Sequence, residues 1–314
     1  MLGVLAAVVV IVLVVLITRS GGQTTTPPAT GAASVVPGDA LAYIHISTDD
    51  SRSQVRSALA LAGRFPGYSR LRSELIARLG STGPPVAGDF QSNVRPWLGK
   101  DAALALLSTG ASSTSSLIVV GVSNRVAAAR FLAGLPTDGS ASYEGTKITG
   151  HPRAGDTAFV GNYLVIGHSS AIRAAVDAAA GRGPSLAQNA AYQRASASEP
   201  AGRALDAYIT GTGVTQLLAS RHGTLGAIGA LLYQPALEGL AVSLTPVSGG
   251  LRVLAHSVLD PQVARSGALP FRPSLASSAP AGAGFFLDAT GLDTLLPRML
   301  RTTGIGGRDR KSVV

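Results

Sequence analysis

Residues 164–170 read Leu-Val-Ile-Gly-His-Ser-Ser and run into Ala174-Ala175, and residues 118–124 read Ile-Val-Val-Gly-Val-Ser-Asn and run into Ala127-Ala128-Ala129. Each copy is a short apolar run, a glycine break with serine, and an alanine-rich segment. β-Branched residues favour strands, and a serine or asparagine before alanines favours the start of a helix. The repeated stretch therefore predicts a strand that leads into a helix, twice.

Similar apolar runs and breaks recur along the chain, and glycines near 110–111 and 249–250 predict antiparallel hairpins. The fold class expected is α+β: mixed, mainly antiparallel sheets with repeated strand-helix units, preceded by one transmembrane helix. Helices are predicted over residues 47–64 and 68–79. Strands are predicted over 40–46, 102–107, 117–120, 158–166 with a break at Gly161-Asn162, 204–210, 240–245 and 251–258.

The chain begins with an apolar run, because residues 2–17 are Leu, Val, Ile and Ala except for Gly3. At about 1.5 Å per residue this run spans roughly 24 Å, close to the roughly 30 Å lipid core and longer than a cleaved signal core of about 7–15 residues. Residues 1–17 are therefore predicted to be a transmembrane anchor. Residues 18–36 are mostly Thr, Gly, Pro, Ser and Ala, which predicts a disordered tether. The expected location is the cell membrane, single-pass, with the globular part extracytoplasmic.

Three further segments come after the tether. Residues 37–262 are predicted to form one extracytoplasmic α+β domain. Residues 280–287 resemble residues 37–44, and each continues into a helical pattern, so 263–308 are interpreted as the start of a second, truncated repeat. Residues 309–314 match the in-frame translation of a common sequencing adapter, which indicates an artefact.

The chain is basic, with a net charge of +9, and it contains no cysteine. Disulfides, thiol catalysis and cysteine-ligated metals are thereby excluded. The basic balance favours an anionic lipid or wall polymer as partner. Arg52 and Arg56, one helical turn apart, are the candidate binding residues, and a solvated helix face is the plainer interpretation. Aromatic residues are scarce around them, which argues against nucleic acid.

Two segments carry a family resemblance. Val36-Pro37-Gly38-Asp39-Ala40 opens the first strand, and Val94-Arg95-Pro96-Trp97-Leu98-Gly99 runs into Asp101-Ala102-Ala103-Leu104. Together with the anchor and tether, they resemble the actinobacterial membrane-anchored family catalogued as domain of unknown function 3352. The resemblance implies a membrane-anchored architecture. It implies no catalytic residues, because no activity is established for the family.

One stretch has the form of a catalytic motif. Residues 167–171 read Gly-His-Ser-Ser-Ala between a strand and a helix, the setting of a nucleophile elbow. Asp206 and His256 come after Ser169 in hydrolase order, so the alternative function is a membrane-tethered serine hydrolase. The final glycine is replaced by Ala171, no oxyanion motif precedes it, and the surrounding strands form hairpins. We therefore favour a serine that caps a helix, and a non-catalytic binding or structural envelope protein.

The remaining polar candidates favour structural roles. The histidines lack metal-ligand spacing, so no metal site is predicted, and no nucleotide or cofactor motif is present. His45 and His256 fall within strands as core or sheet-face residues. Asp49 and Asp50 stand where a helix is predicted to begin, where the helix dipole favours negative charge. Trp97 is predicted to be a packing anchor where a helix meets a strand.

Overall fold

The computed structural model describes residues 27–62, 90–108, 114–152, 155–219, 236–247 and 250–262. The chain divides into two compact units, Met1–Thr210 with Gly239–Val258, and Gly211–Glu238 with Leu259–Val314. The described part of the second unit includes the short helix Gly211–Gly213 and the π-helix Val214–Ala219. No helix among the described residues is both long and apolar enough to span a membrane. The predicted anchor, the helix over 68–79, the second repeat and the adapter-like end lie outside the described residues.

The first unit is built on one sheet of ten strands, and every strand pair with a defined register is antiparallel. Each predicted strand is present, and the predicted break at Gly161-Asn162 is the turn between two strands. In chain order, the strands are β1 Ala42–Ser47, β2 Leu98–Ser108, β3 Thr114–Val122, β4 Gly139–Tyr143, β5 Thr146–His151, β6 Gly155–Val160, β7 Tyr163–Gly167, β8 Leu205–Thr210, β9 Leu237–Val247 and β10 Gly250–Leu259. Their order across the sheet is β10-β9-β8-β1-β2-β3-β7-β6-β5-β4.

Four α-helices accompany the sheet among the described residues of this unit. They are α1 Ser53–Ala62, α2 Arg125–Ala133, α3 Ser169–Ala179 and α4 Ala190–Ser198. Shorter helical turns are the 3-10 turns Gly31–Ser34 and Leu186–Gln188 and the π-helix Phe90–Val94.

The repeated sequence module forms a strand that leads into a helix in both copies, as predicted. Its two strands, β3 and β7, are antiparallel neighbours, with Val119 opposite Val165 and Val120 opposite Leu164. Ile172 of α3 belongs to the core that contains Val119 and Val165, whereas α2 packs with Val120 and Leu164. Because successive side chains of a strand point to opposite faces, the two helices cover opposite faces of the sheet.

The tether predicted over residues 18–36 ends before Val36, because the chain from Gly31 onward is packed. Ala32 and Val36 are fully buried. The carbonyl of Val36 accepts a hydrogen bond from Leu186 N at 2.7 Å. The composition of this stretch resembles a linker, but its alanines and valines add apolar area to the core, which offsets the entropy lost on ordering them.

Candidate functional site

A row of side chains that crosses the sheet is polar at one end and apolar at the other. His45 of β1 lies directly opposite Asp206 of β8, and Asp206 lies opposite Ser243 of β9. On the other side of His45 the row continues with Ala103 and Val119. His45 and Ser243 are fully buried and Asp206 is 6% exposed. Polar side chains in such a position need partners, because an unpaired polar group in the interior is costly.

One carboxylate oxygen of Asp206 contacts two side chains, those of His45 and Arg203. His45 Nδ1 lies 2.9 Å from Asp206 Oδ1, and Arg203 Nε donates to the same oxygen at 2.8 Å. Burial by itself raises the pKa of the Asp206 carboxyl, but His45 and Arg203 outweigh burial and hold that pKa below its ordinary value. Asp206 is therefore a buried, ionised and paired carboxylate. Arg203 was not predicted from the sequence as part of any site.

Arg52 completes what we call the buried polar cluster: His45, Arg52, Arg203 and Asp206. Arg52 is 3% exposed, and its guanidinium donates to the carbonyl oxygens of Arg203 at 3.0 Å and Ala201 at 2.9 Å. Burial lowers the pKa of Arg52, while the nearby Asp49 and Asp206 raise it. A guanidinium that is closed off in this way is a structural group.

The prediction that Arg52 and Arg56 form an exposed binding pair is therefore wrong for Arg52. Arg52 precedes α1, which begins at Ser53, so the two arginines do not share its face. Arg56 is half-buried and donates to the carbonyls of Asp50 at 2.6 Å and Ser51 at 3.2 Å.

The late start of α1 is explained by Asp49. Its Oδ1 accepts hydrogen bonds from Ser51 N at 3.0 Å and Ser51 Oγ at 2.6 Å, which forms a local turn before the helix. Asp50 pairs with Arg95 instead. Asp49 and Asp50, predicted to stand where a helix begins, therefore lie just before α1, which starts at Ser53.

A second buried carboxylate fastens the N-terminal segment to the sheet. Asp101 is 4% exposed, and its Oδ2 accepts a hydrogen bond from Ala32 N at 2.9 Å and a longer one from Tyr163 Oη at 3.4 Å. Burial raises the pKa of Asp101 despite these hydrogen bonds and the attraction of His45. Asp101 and Asp206 thus have pKa shifts of opposite sign within one core.

Three tyrosines pack beside the cluster: Tyr192 of α4, Tyr43 of β1 and Tyr208 of β8. The ring of Tyr192 meets Tyr43 edge-on at 5.6 Å between centroids, and it meets Tyr208 in the same way at 5.5 Å. Burial raises the pKa of all three phenols, that of Tyr208 to about 12. The raised pKa values favour the protonated phenols at neutral pH.

The structure does not assemble the catalytic triad of Ser169, Asp206 and His256. Three strands separate β7, which precedes Ser169, from β8, which carries Asp206. Four strand spacings amount to about 19 Å, and His256 lies on β10, two strands further away. His256 Nδ1 instead lies 3.8 Å from Glu199 Oε1. The hydrolase arrangement therefore has neither its base nor its acid near Ser169.

The capping role predicted for the repeated serine belongs to other residues. The N-cap of α3 is His168, whose Nδ1 accepts from Ser170 N at 3.4 Å, and the N-cap of α2 is Asn124, whose Oδ1 accepts from Ala127 N at 3.0 Å. Ser169 is the first residue of its helix. The repeated stretch therefore caps a helix in both copies, through His168 in one and through Asn124 in the other.

The packing role predicted for Trp97 is confirmed. Trp97 is 4% exposed, its Nε1 donates to Asn93 O at 2.6 Å, and its ring lies 5.6 Å from that of Phe131. The backbone beside it joins neighbouring elements, since Ser123 N donates to Trp97 O and Thr48 Oγ1 donates to Gly99 O. Trp97 to Gly99 therefore connects β2 with the approach to α2 and with the end of β1.

Among the described residues, no group of three or more His, Asp or Glu side chains is arranged to hold a metal ion. Of the histidines, His45 and His256 each have a carboxylate neighbour, and His151 is enclosed by Pro136 O at 2.9 Å and Thr157 Oγ1 at 3.0 Å. These contacts join elements of the fold to one another.

Comparison with solved structures finds the protein TP0453. Its crystal form III has a TM-score of 0.40 and 11% identity, and the match covers 76% of this chain and 82% of that one. Crystal form I has a TM-score of 0.39 and 13% identity, covering 76% and 85%. Comparison with curated proteins gives no match. The family model described as "Protein of unknown function (DUF3352)" matches residues 1–304, so the chain belongs to that family.

Proposed function

We propose that this chain is a membrane-tethered protein of the cell envelope, whose folded part lies outside the cytoplasm and acts by binding or as a structural element. The carrying observation is the run of residues 2–17, which contains no charged or polar side chain. Such a run is far more stable among acyl chains than in water. The adjoining Thr- and Pro-containing stretch separates it from the packed residues that begin at Gly31.

The burial and pairing of the candidate chemical groups favour binding over catalysis. An acid or base must reach a substrate proton to act on it. His45 is fully buried, and Asp206 is closed in by His45 and Arg203. Ser169 lies several strands away from both. The contact between His45 and Asp206 links β1 to β8, which supports a structural role for these two side chains.

The partner we propose is an anionic lipid surface, with an anionic wall polymer as the alternative. The net charge of +9 favours either one. With Arg52 buried, the exposed face of α2 is the better candidate, because Arg130 and Val126 lie one turn apart there and Val126 is 70% exposed. A basic residue beside an exposed apolar one is typical of helices that rest on membrane surfaces.

Carbonate extraction and flotation of the full chain test the tether. The full chain is expected to stay with the membrane at alkaline pH, and a variant that lacks residues 2–17 is expected to be released. Recovery of the full chain in the soluble fraction would contradict the anchor.

Liposome flotation of the variant that lacks residues 2–17 tests the lipid partner separately. We expect it to float with anionic liposomes and not with neutral ones, and we expect Arg130→Glu to weaken that binding. Lys147→Glu is the matched control, because Lys147 is an exposed cation on β5. Binding to wall fragments without liposome binding would identify the polymer alternative, and binding to neither would refute both partners.

A further inference from the structure

The strand at one edge of the sheet, β4, lacks the features that usually protect such an edge. No described strand lies on its outer side, and four of its five residues are exposed. Its sequence, Gly-Ser-Ala-Ser-Tyr, contains no charge and no proline. Proteins commonly block edge strands with lysine, proline or bulges, because free N–H and C=O groups recruit another strand. Among the described residues, nothing pairs with the outer edge of β4.

The hairpin geometry identifies which backbone groups face outward. Glu144 and Gly145, the two turn residues, both have positive φ, 48° and 75°, as in a type I′ turn. Tyr143 and Thr146 flank this turn and form a hydrogen-bonded pair, and hydrogen-bonded pairs alternate with non-hydrogen-bonded ones along the ladder. The N–H and C=O groups of Ser140 and Ser142 consequently point away from β5.

Contacts with α3 hold this hairpin in place. Tyr143 Oη donates to Asp177 Oδ2 at 2.9 Å, and Arg182 Nε donates to Asp177 Oδ1 at 2.7 Å. Arg182 also lies 3.7 Å from Glu144 at the turn. An edge that is fixed before it meets a partner loses less entropy on binding.

We propose that β4 is a self-association surface, which pairs antiparallel with β4 of a second copy about a two-fold axis at Ala141. In this register Ser140 of each copy faces Ser142 of the other, and their outward groups form four hydrogen bonds. Ala141 faces Ala141 at a non-hydrogen-bonded position, where Cα atoms approach to about 4.5 Å.

The occupant is a second copy because the strand is complementary to itself. The closest approach falls on alanine, whose side chain is small enough for it. The hydrogen-bonding residues on both sides are serines, and no like charges oppose one another within the strand. A symmetric contact of this kind is isologous, the commonest form of dimer interface. It does not depend on the tether or on a lipid partner.

The absence of cysteine from the chain allows a direct test. Ala141→Cys in the full chain, solubilised in detergent, places two thiols at the two-fold axis, within the roughly 4.4–6.8 Å Cα separation of disulfides. Mild oxidation is expected to give a dimer on a non-reducing gel that disappears with reductant. The matched control is Ala180→Cys, an exposed alanine at the end of α3.

A second substitution tests whether the pairing uses β4 itself. Ser142→Pro removes an N–H that points outward and leaves the hydrogen bonds between β4 and β5 in place. It is therefore expected to abolish the cross-link of Ala141→Cys in a variant that still folds. The proposal is overturned if Ala141→Cys gives no more cross-linked dimer than Ala180→Cys. That result would also be obtained if β4 paired with a different protein and not with a second copy. It is also overturned if a folded Ser142→Pro variant cross-links as before. If Ser142→Pro does not fold, the comparison of the two cysteine variants decides the matter.

Discussion

His45 Nδ1 and Asp206 Oδ1 lie 2.9 Å apart at directly opposed positions of β1 and β8, although 161 residues separate them in the chain. This buried pair, with Arg203 on the same oxygen, joins the two strands at a point where the row across the sheet becomes polar. We therefore expect the charge of this one carboxylate to contribute to the stability of the first unit.

Asp206→Asn is expected to destabilise the protein by about 3–5 kcal/mol, because it leaves Arg203 buried without its anion. Urea denaturation followed by circular dichroism measures this free energy of unfolding. Asp39→Asn is the matched control, since Asp39 is exposed, and surface substitutions usually change stability by no more than about 0.5 kcal/mol. Equal effects of the two substitutions would show that the buried pair contributes nothing.

Asp101→Asn is expected to cost little or to stabilise the fold at neutral pH. The native pKa of Asp101 is raised by burial, so the fold favours the neutral form, and an amide oxygen still accepts the Ala32 N–H. Asp101→Ala removes that acceptor and is expected to cost about 1–3 kcal/mol. If the asparagine variant proved as unstable as the alanine variant, the negative charge itself would be the stabilising feature.

The two carboxylates also predict opposite pH dependences. The pKa of Asp206 is lowered on folding, so its contribution is present above the unfolded pKa of about 3.9 and is lost as pH falls through the native pKa. The pKa of Asp101 is raised, so its contribution is present below about 3.9 and is lost as pH rises through the native pKa. The free energy of unfolding measured against pH should fall less steeply in acid for Asp206→Asn than for the unsubstituted chain.

Gly99→Ala is expected to cost about 1–3 kcal/mol, as overpacking does. A Cβ at Gly99 would lie 2.6 Å from the backbone carbon of Gly121 on β3, and backbone atoms cannot move aside cheaply. Gly183→Ala is the matched control, because a Cβ there would meet nothing within 4 Å. Thermal melting of both variants tests the close approach of β2 and β3. Equal melting temperatures of Gly99→Ala and Gly183→Ala would contradict it.

Ser169 is expected to be inert toward a fluorophosphonate probe, because Asp206 and His256 lie several strands away and the adjacent His168 contacts Ser170 Oγ instead. Intact-mass measurement after incubation should show no adduct on the full chain. An adduct that is lost in Ser169→Ala, but kept in Ser170→Ala, would restore the hydrolase alternative.

The strands were predictable where the apolar signal was strong, as in β1, β3 and β7. β4 and β5 were both missed. Glycine, serine and alanine give β4 little strand preference, and its pairing with β5 supplies the order. The buried polar cluster was missed because β8 reaches β1 only through a long crossover, which local patterns do not reveal. The sequence did offer one signal for the cluster: His45 and Asp206 each lie inside an otherwise mostly apolar strand.

Two local errors have equally local causes. Arg52 was placed on an exposed helix face because the helix was expected to begin near residue 47, whereas the turn at Asp49 and Ser51 delays it to Ser53. Residues 31–36 were assigned to the tether because their composition resembles a linker, whereas Ala32 and Val36 are buried in the core.

The proposed envelope location is tested most directly by measuring on which side of the membrane the chain after residue 17 lies. A reporter that is active only outside the cytoplasm, fused after Thr26 so that the packed segment from Gly31 is left out, should be active. The same fusion to a reporter that is active only inside should be silent. The reverse pair of results would contradict the proposal that the folded part of this protein stands outside the cytoplasmic membrane.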